Sequence, residues 1–269
     1  MEERIAACLD ARERRAVGSL VGRVRREVGA RLEHALLFGS RARGTARSDS
    51  DLDVLLVFRR LPPDREPYAG DAERIAEEVA RRTGVPLGVW CVSLEDFRPG
   101  CRTPMLVDAT DDAVPLWPVG TPPPAAELAP ADALFCAGRL LERVDEGSAE
   151  VAERLRRGDP AWAGRVRDDL VRLCTALLVL AGETRPRRGD AVRHALQRLP
   201  RARWTPAERL ALAWAARSYP AGHLELDDDT PPPPPPVPPG ILLALAGRLK
   251  RLVSRRGRLA SRTGGFVRG

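Results

Sequence analysis

The spacing of apolar and polar positions changes near the middle of the chain, separating a part that contains strands from a part that is helical. Short continuous apolar runs, typical of buried strands, lie at residues 35–38, 54–58, 85–92 and 113–117. Residues 68–82 have apolar side chains at intervals of three and four, which predicts a helix between the second and third runs. The first part of the chain is therefore predicted to combine strands with helices.

The second part of the chain has helical periodicity. Apolar residues recur at intervals of three and four in residues 131–145, 162–180, 190–199 and 206–218, and Gly182 stands where the second of these helices should end. Four helices joined by short connections predict a bundle in which each helix buries one face against its neighbours.

Two proline-rich stretches and the charge distribution set the predicted domain boundaries. We predict a first domain over residues 1–117, a proline-rich linker over 118–130, a helical bundle over 131–226, a polyproline II spacer over 227–240 and a basic tail over 241–269. The tail contains eight basic residues and no acidic one, so the net charge of +7 resides there and the rest of the chain is close to neutral. Its leucine spacing also suits a short helix that binds an anionic membrane surface or an acidic partner.

The composition is typical of a soluble, cytoplasmic, globular protein. The five cysteines are scattered, odd in number and without a Cys-x-x-Cys pair, which argues against a disulfide framework and against a zinc site. The first residues lack the apolar core of a targeting segment, and the longest apolar runs fall far short of the roughly 18 residues of a membrane span. A reducing cytoplasm is the predicted compartment.

One arrangement of residues predicts chemistry. Gly39 and Ser40 follow the first apolar run, and Asp51 and Asp53 stand at the head of the second. Side chains alternate along a strand, so the two carboxylates are expected on the same face, where they can hold a metal ion. Gly39 permits a tight turn against a bound group, and Ser40 supplies a hydroxyl and an amide for phosphate oxygens.

Arginines in the connection between the two runs support the same interpretation. Arg41, Arg43 and Arg47 are expected within reach of an anion at Ser40, and the planar guanidinium suits phosphate. A magnesium ion held by carboxylates commonly bridges to the phosphates of a nucleoside triphosphate. The site therefore predicts phosphoryl-type transfer, with Arg43 among the nucleotide-binding residues.

These motifs resemble the polymerase-beta-type nucleotidyltransferase superfamily. Leu-Phe-Gly-Ser-Arg-Ala-Arg-Gly at residues 37–44 and Ser-Asp-Leu-Asp-Val at residues 50–54 are similar to motifs of its minimal and antibiotic-modifying members. The resemblance implies transfer of a nucleoside monophosphate from a triphosphate to an acceptor, usually a hydroxyl. It also implies that Asp51 and Asp53 are catalytic metal ligands and that Gly39 holds the triphosphate together with Ser40.

The family pattern includes a third carboxylate on a later strand, and the sequence departs from it. The expected position is residue 88, which is glycine. Three interpretations follow: the chain has lost catalysis and kept a nucleotide-binding or regulatory role, it uses another acid such as Glu95 or Asp108, or its acceptor needs little deprotonation. Ser93 and Asp96 fit a capping box, which favours a structural role for the acids next to Ser93.

The helical part contains a second resemblance. Residues 170–200, including Gly182 and the Pro-Arg pair at 186–187, are similar to the carboxy-terminal helical domain of streptomycin and spectinomycin adenylyltransferases. In that family the domain helps to close the cleft and contributes acceptor contacts, which implies that Arg187 contacts the nucleotide. A charged turn between helices is the alternative interpretation of Arg187 and its neighbours.

The sequence thus predicts an α+β protein in which a small mixed sheet flanked by helices is followed by an all-α bundle that shapes the acceptor pocket. It would transfer AMP from ATP, with Mg²⁺, to a hydroxyl of a small-molecule acceptor such as an aminoglycoside-like compound. The alternatives are a catalytically weakened nucleotide-binding or antitoxin-type module, and a nucleotidyltransferase that acts on RNA or protein. Arg188 and His194 also fit the short Arg-x4-6-His motif of HEPN ribonuclease toxins, which often accompany minimal nucleotidyltransferases acting as antitoxins.

Overall fold

The chain forms two compact units. One comprises Met1–Cys101 and Met105–Ala126, and the other comprises Arg102–Pro104 and Glu127–Gly269. The structure is a computed structural model, and it describes residues 8–28, 31–46, 50–62, 64–111, 113–118, 127–185, 190–198, 204–217 and 233–263.

The first unit is built around a four-stranded mixed sheet. The strands are β1 (Leu32–Phe38), β2 (Leu52–Phe58), β3 (Leu87–Ser93) and β4 (Val114–Trp117), and their spatial order is β3-β2-β1-β4. Strand β1 pairs antiparallel with β2 and with β4, whereas β2 and β3 run parallel. The helices along this part of the chain are α1 (Ala11–Glu27), α2 (Gly39–Arg43), α3 (Glu66–Thr83) and α4 (Pro104–Asp111).

The core of the first unit lies between one face of the sheet and helices α1 and α3. Leu20 and Val24 of α1 and Ile75 and Val79 of α3 are fully or almost fully buried, at the three- and four-residue spacing of one helix face. The sheet contributes alternate residues to this core, namely Ala35, Leu37, Val54, Leu56 and Phe58. Because side chains alternate along β2, Asp53 projects from the opposite face.

The second unit is helical. Its helices are α5 (Pro130–Arg157), α6 (Trp162–Leu180), α7 (Ala191–Arg198), α8 (Pro206–Arg217) and α9 (Pro239–Thr263). Helix α6 packs against the other four, which explains why its second half is apolar on all sides. Helix α5 continues past the predicted end at residue 145 to Gly158, which ends it with a φ of 69°, because Val144 and Val151 extend its buried face.

The segment predicted as a basic tail differs from that expectation, since most of it forms α9. Leu242, Leu245 and Leu249 are buried, and α9 packs against α5, α6 and α8. Arg248 forms an ion pair with Glu208 of α8 at 2.6 Å. The leucine spacing, rather than the basic charge, determines the structure of this segment, because burying one apolar face outweighs the cost of ordering the helix.

The predicted fold class is confirmed: a mixed sheet with flanking helices is followed by a helical region. Much of the predicted linker, residues 119–126, and part of the predicted spacer, residues 227–232, lie outside the described residues. Within the described part of the chain, none of the helices is both long and apolar enough to cross a membrane.

Candidate nucleotide-binding site

Asp53 lies at the centre of the candidate site because of the pairing of three strands. It is the partner of Phe38 in the antiparallel β1–β2 pair and of Gly88 in the parallel β2–β3 pair. The Leu52 amide donates a hydrogen bond of 3.0 Å to the Pro86 carbonyl, which fixes the start of β2 against the start of β3. The sheet therefore places Asp53 beside the end of β1 on one side and beside Gly88 on the other.

Gly39 is required at its position for two independent reasons. Its φ of 74° lies in the left-handed region that favours glycine. In addition, a Cβ on residue 39 would overlap Asp53 Oδ2 and lie 3.2 Å from Asp53 Cγ. The absence of a side chain at Gly39 thus lets the Asp53 carboxylate lie directly against the backbone turn that follows β1.

The turn after β1 presents backbone donors next to this carboxylate. Helix α2 begins at Gly39 and ends at Gly44, whose φ is 71°. The N-cap residue of α2 is Phe38, whose side chain makes no hydrogen bond to the first amides of this helix in the described part of the chain. Ser40 is half-buried in the first turn of the helix. Amides at the start of a helix and a serine hydroxyl are donors that suit phosphate oxygens.

A chain of polar contacts ties this turn to α1 and to the segment before β2. Arg41 forms an ion pair with Glu13 Oε1 at 3.2 Å. It also donates a hydrogen bond of 3.4 Å to the Ser50 carbonyl. The other Glu13 oxygen accepts from the Asp10 amide at 2.8 Å and completes the capping box of α1. Arg41 therefore holds the backbone just before Asp51 in place, in addition to any contact with an anion.

The structure places the other predicted residues in different surroundings. Asp51 is exposed and immediately precedes β2, so the structure places only Asp53 of the two carboxylates on the strand itself. Arg43 is half-buried in the last turn of α2. Arg47 and Arg187, predicted to contact the nucleotide, lie outside the described residues, as does Arg188.

Gly88 stands where the third carboxylate was expected, and its surroundings explain what fills that place. A Cβ on residue 88 would lie 3.2 Å from Asp53 Oδ1, so the position does face the candidate site. It would also lie 3.0 Å from Cζ3 and 3.1 Å from Cη2 of Trp90. Trp90 packs edge-on against Phe38, with ring centroids 5.2 Å apart. The indole thus occupies the space into which a side chain at residue 88 would project.

The candidate substitute acids differ in their surroundings. Asp96 accepts hydrogen bonds from the amide and hydroxyl of Ser93, as the capping box predicted, and forms a two-point ion pair with Arg65. Glu95 is about half exposed and lies 3.9 Å from Arg98. Asp108 is largely buried within α4. Asp96 is therefore a structural residue, and Asp108 is the more enclosed of the two acids proposed as substitutes.

The donors at the site fit one hard divalent cation. Asp51 and Asp53 offer carboxylate oxygens, and the Asp53 carboxylate lies against the Gly39 turn. Mg²⁺ is typically held by one or two carboxylates, with phosphate and water oxygens completing its octahedron. Across the described ranges, no group of three or more His, Cys, Asp and Glu side chains is arranged to hold a metal ion. Asp51 and Asp53 are therefore the residues that would hold such a cation.

Two residues of this site were missed from the sequence. Glu13 positions Arg41, and its Asp-x-x-Glu capping box was readable in residues 10–13. Trp90 shares a strand face with Gly88 by simple alternation, which was a second available signal. The direction of the indole was not readable, because it depends on a contact with Phe38 across the sheet.

Comparison with known families supports a nucleotidyltransferase domain. Residues 19–111 match the family model described as a nucleotidyltransferase domain, which is about a third of the chain. The matched range contains Gly39, Ser40, Asp51 and Asp53 as well as Gly88. No curated protein matches the chain. The match supports the superfamily that the motifs resemble and, at that level, nucleotidyl transfer.

Proposed function

We propose that the first unit binds a magnesium nucleotide and transfers AMP from ATP to a hydroxyl of a small-molecule acceptor such as an aminoglycoside-like compound. The observation that carries the proposal is the close approach of Asp53 to the Gly39 turn, where a Cβ would overlap the carboxylate. Carboxylate oxygens and helix-start amides side by side suit a cation and a phosphate chain respectively.

Each residue has a defined part in this proposal. Asp51 and Asp53 would hold Mg²⁺, while the amides at the start of α2 and the Ser40 hydroxyl would bind phosphate oxygens. Arg41, fixed by Glu13 and by the Ser50 carbonyl, keeps the segment before Asp51 in place. When bound, the cation supplies positive charge that offsets the charge developing on the phosphates.

The proposed reaction is an in-line substitution at the α phosphorus. An acceptor oxygen forms a bond to the α phosphorus, the bond from that phosphorus to the bridging oxygen of the β phosphate breaks, and pyrophosphate leaves. The acceptor hydroxyl loses its proton to water, because residue 88 offers no carboxylate to take it. The contribution of the protein is therefore mainly positioning and electrostatic stabilisation.

Label transfer tests the proposal. Incubation with Mg²⁺ and α-labelled ATP, GTP, CTP or UTP against a panel of aminoglycosides, tRNA and protein should yield a labelled acceptor and pyrophosphate. The double variant Asp51→Asn/Asp53→Asn should lose transfer, while Glu77→Gln, which changes an exposed acid on α3, should keep it. Full transfer by the double variant would refute the assignment of these carboxylates.

A nucleotide-binding module without transfer is the second candidate function, and Gly88 favours it. A chain that lacks the third carboxylate has the donors for a magnesium nucleotide but not for full catalysis. Calorimetry would then record ATP binding that requires Mg²⁺, and no acceptor would release pyrophosphate. RNA or protein acceptors are separated from small molecules by the same label-transfer panel.

We further propose that α9 presents a surface to an anionic partner. Arg251, Arg255 and Arg258 are exposed and follow the spacing of one helix face. Their neighbours Arg248 and Lys250 instead pair with Glu208 and Asp145 of the same unit. The exposed arginines form a stripe of one sign of charge, here called the α9 arginine stripe.

A further inference from the structure

We propose that Trp90 has taken the place of the third carboxylate, so that the site holds a single divalent cation together with the nucleotide. This inference rests on the proposed function, because it concerns the cation that Asp51 and Asp53 would bind. Unlike the proposed function, this inference predicts how many ions bind and which residue limits that number.

Residue 88 lies close to the Asp53 carboxylate. Gly88 pairs with Asp53 across β2 and β3, and a Cβ on residue 88 would lie 3.2 Å from Asp53 Oδ1. A carboxylate at residue 88 would thus share a cation with Asp53. The same Cβ lies 3.0 and 3.1 Å from two atoms of the Trp90 ring, which is closer than ordinary van der Waals contact. A side chain at residue 88 therefore requires the indole and the Asp53 carboxylate to shift by a few tenths of an ångström.

The position of the indole is fixed from the other side. Trp90 packs edge-on against Phe38 with an interplanar angle of 73°, and Phe38 is almost fully buried at the end of β1. A shift of the indole would disturb this contact between β1 and β3. A single substitution at Gly88 should consequently disturb the sheet without creating a usable ligand.

The charge of the carboxylates limits the number of cations at the site. In two-metal sites the cations lie about 3.5–4 Å apart, where two divalent ions repel each other strongly unless carboxylates surround them. Asp51 and Asp53 supply two negative charges, which one divalent cation already neutralises, and Gly88 adds none. One cation with the nucleotide is the occupancy that these donors support.

Counting bound ions tests this inference. Equilibrium dialysis of the full chain against Mn²⁺, with the same concentration of an α,β-methylene ATP analogue on both sides, gives the number of ions bound per chain. Electron paramagnetic resonance distinguishes a mononuclear Mn²⁺ signal from the exchange-coupled signal of two neighbouring ions. The variants are Trp90→Ala, Gly88→Asp, the double variant Gly88→Asp/Trp90→Ala and its uncharged control Gly88→Asn/Trp90→Ala.

The expected result is one ion in the wild type, in Trp90→Ala and in the uncharged control. Gly88→Asp should also bind one ion and melt at a lower temperature. Only Gly88→Asp/Trp90→Ala should bind two ions with a coupled spectrum. Two ions in the wild type would overturn the inference and leave the proposed function standing, and one ion in a folded double variant would overturn the role of Trp90. No ion in the wild type would overturn the proposed function itself.

Discussion

At the scale of single residues, the site depends on the space around the Asp53 carboxylate. Gly39, in the turn after β1, and Gly88, on β3, flank it, and a Cβ on either glycine would approach its oxygens. Neighbouring strands are about 4.8 Å apart, so ordinary side chains on both sides would enclose the carboxylate. The two glycines leave room for the Asp53 carboxylate between the Gly39 turn and β3, where the Trp90 indole also packs.

Alanine at Gly39 should lower both the stability of the protein and its affinity for Mg²⁺ with ATP. Gly39→Ala places a side chain in the left-handed region and against Asp53, and strain of this kind costs about 1–3 kcal/mol. Because the carboxylate must move, binding of Mg²⁺ with ATP should fall at least tenfold. Urea denaturation gives the loss of stability, and calorimetry gives the loss of affinity.

Gly44 provides the matched control. Its φ is 71°, close to that of Gly39, but nothing lies within 4 Å of a Cβ built there. Gly44→Ala should therefore lose about 1–2 kcal/mol of stability from strain alone and keep its nucleotide affinity. Equal affinities for Gly39→Ala and Gly44→Ala would show that the Asp53 carboxylate is not used.

The sequence allowed part of this site to be predicted. Counting back from Ser93 located residue 88, and the strand register places it beside Asp53. The spacing of glycine and aspartate along the sequence likewise led to Asp53, which the sheet pairs with Phe38 and places against Gly39. What it did not reveal is that Asp51 precedes β2 and is exposed, because strand ends depend on the hydrogen bonds of the partner strand rather than on local composition.

At the scale of elements, side-chain caps and ion pairs hold the segments that flank the site. The short 3₁₀ helix at Leu94–Phe97 follows β3 and is capped by Ser93 and Asp96. Asp96 additionally binds Arg65, the residue before α3, at 2.7 and 2.9 Å. One carboxylate thus connects the end of β3 with the start of α3.

Removal of this carboxylate should affect stability and not binding. Asp96→Ala loses the cap and the ion pair with Arg65, and we expect a decrease of about 1–2 kcal/mol in the free energy of unfolding. Glu95→Ala, next to it and exposed, should change stability by less than about 0.5 kcal/mol. Urea denaturation measures both. A loss of nucleotide affinity in Asp96→Ala greater than its loss of stability would mean that Asp96 belongs to the site.

The packing of helix α9 could not be predicted from the sequence. Its leucine spacing predicted an apolar face, but the basic charge predicted a tail. The partners of that face lie in α5, α6 and α8, and both α5 and α6 end more than 50 residues earlier in the chain. Contacts over such sequence distances have no local signal. The arginine stripe belongs to the exposed part of the predicted tail.

The α9 arginine stripe should bind polyanions through charge. The triple variant Arg251→Glu/Arg255→Glu/Arg258→Glu should elute from heparin at a lower salt concentration than the wild type, because fewer counterions are released on binding. Reversal of the exposed pair Arg81 and Arg82 at the end of α3 provides the control and should have a smaller effect. Identical elution of the wild type and the triple variant would exclude the stripe as the binding surface.

At the scale of the whole molecule, each unit has its own apolar core and its own buried charges. The first core lies between the sheet and two helices, and the second surrounds α6. The α+β class followed from the change in periodicity along the sequence, because two- and 3.6-residue periods are local properties. Buried charge in α6 was not predicted, since its apolar neighbours come from distant helices.

Asp169 in α6 should make stability depend on pH. Burial raises the pKa of Asp169 to about 6 from its usual 3.8, although Arg172 and Arg165 act in the opposite direction. Between about pH 4 and 6 the folded chain binds this proton more tightly than the unfolded chain does. Raising the pH through that window should therefore lower the free energy of unfolding, by up to about 3 kcal/mol.

The variant Asp169→Asn isolates this effect. Denaturation of the wild type and the variant at a series of pH values should give a stability difference that changes between pH 4 and 6 and is constant above that range. Glu142→Gln, an exposed acid on α5, serves as the control. A stability difference that is flat across the whole series would contradict the raised pKa of Asp169.

The most direct measurement of the central claim is anomalous diffraction from a crystal containing Mn²⁺ and the α,β-methylene ATP analogue. We predict one anomalous peak within coordination distance of the Asp51 and Asp53 carboxylates, with phosphate oxygens bound at the Gly39–Ser40 turn. A nucleotide located elsewhere, or a manganese peak away from both carboxylates, would contradict the account.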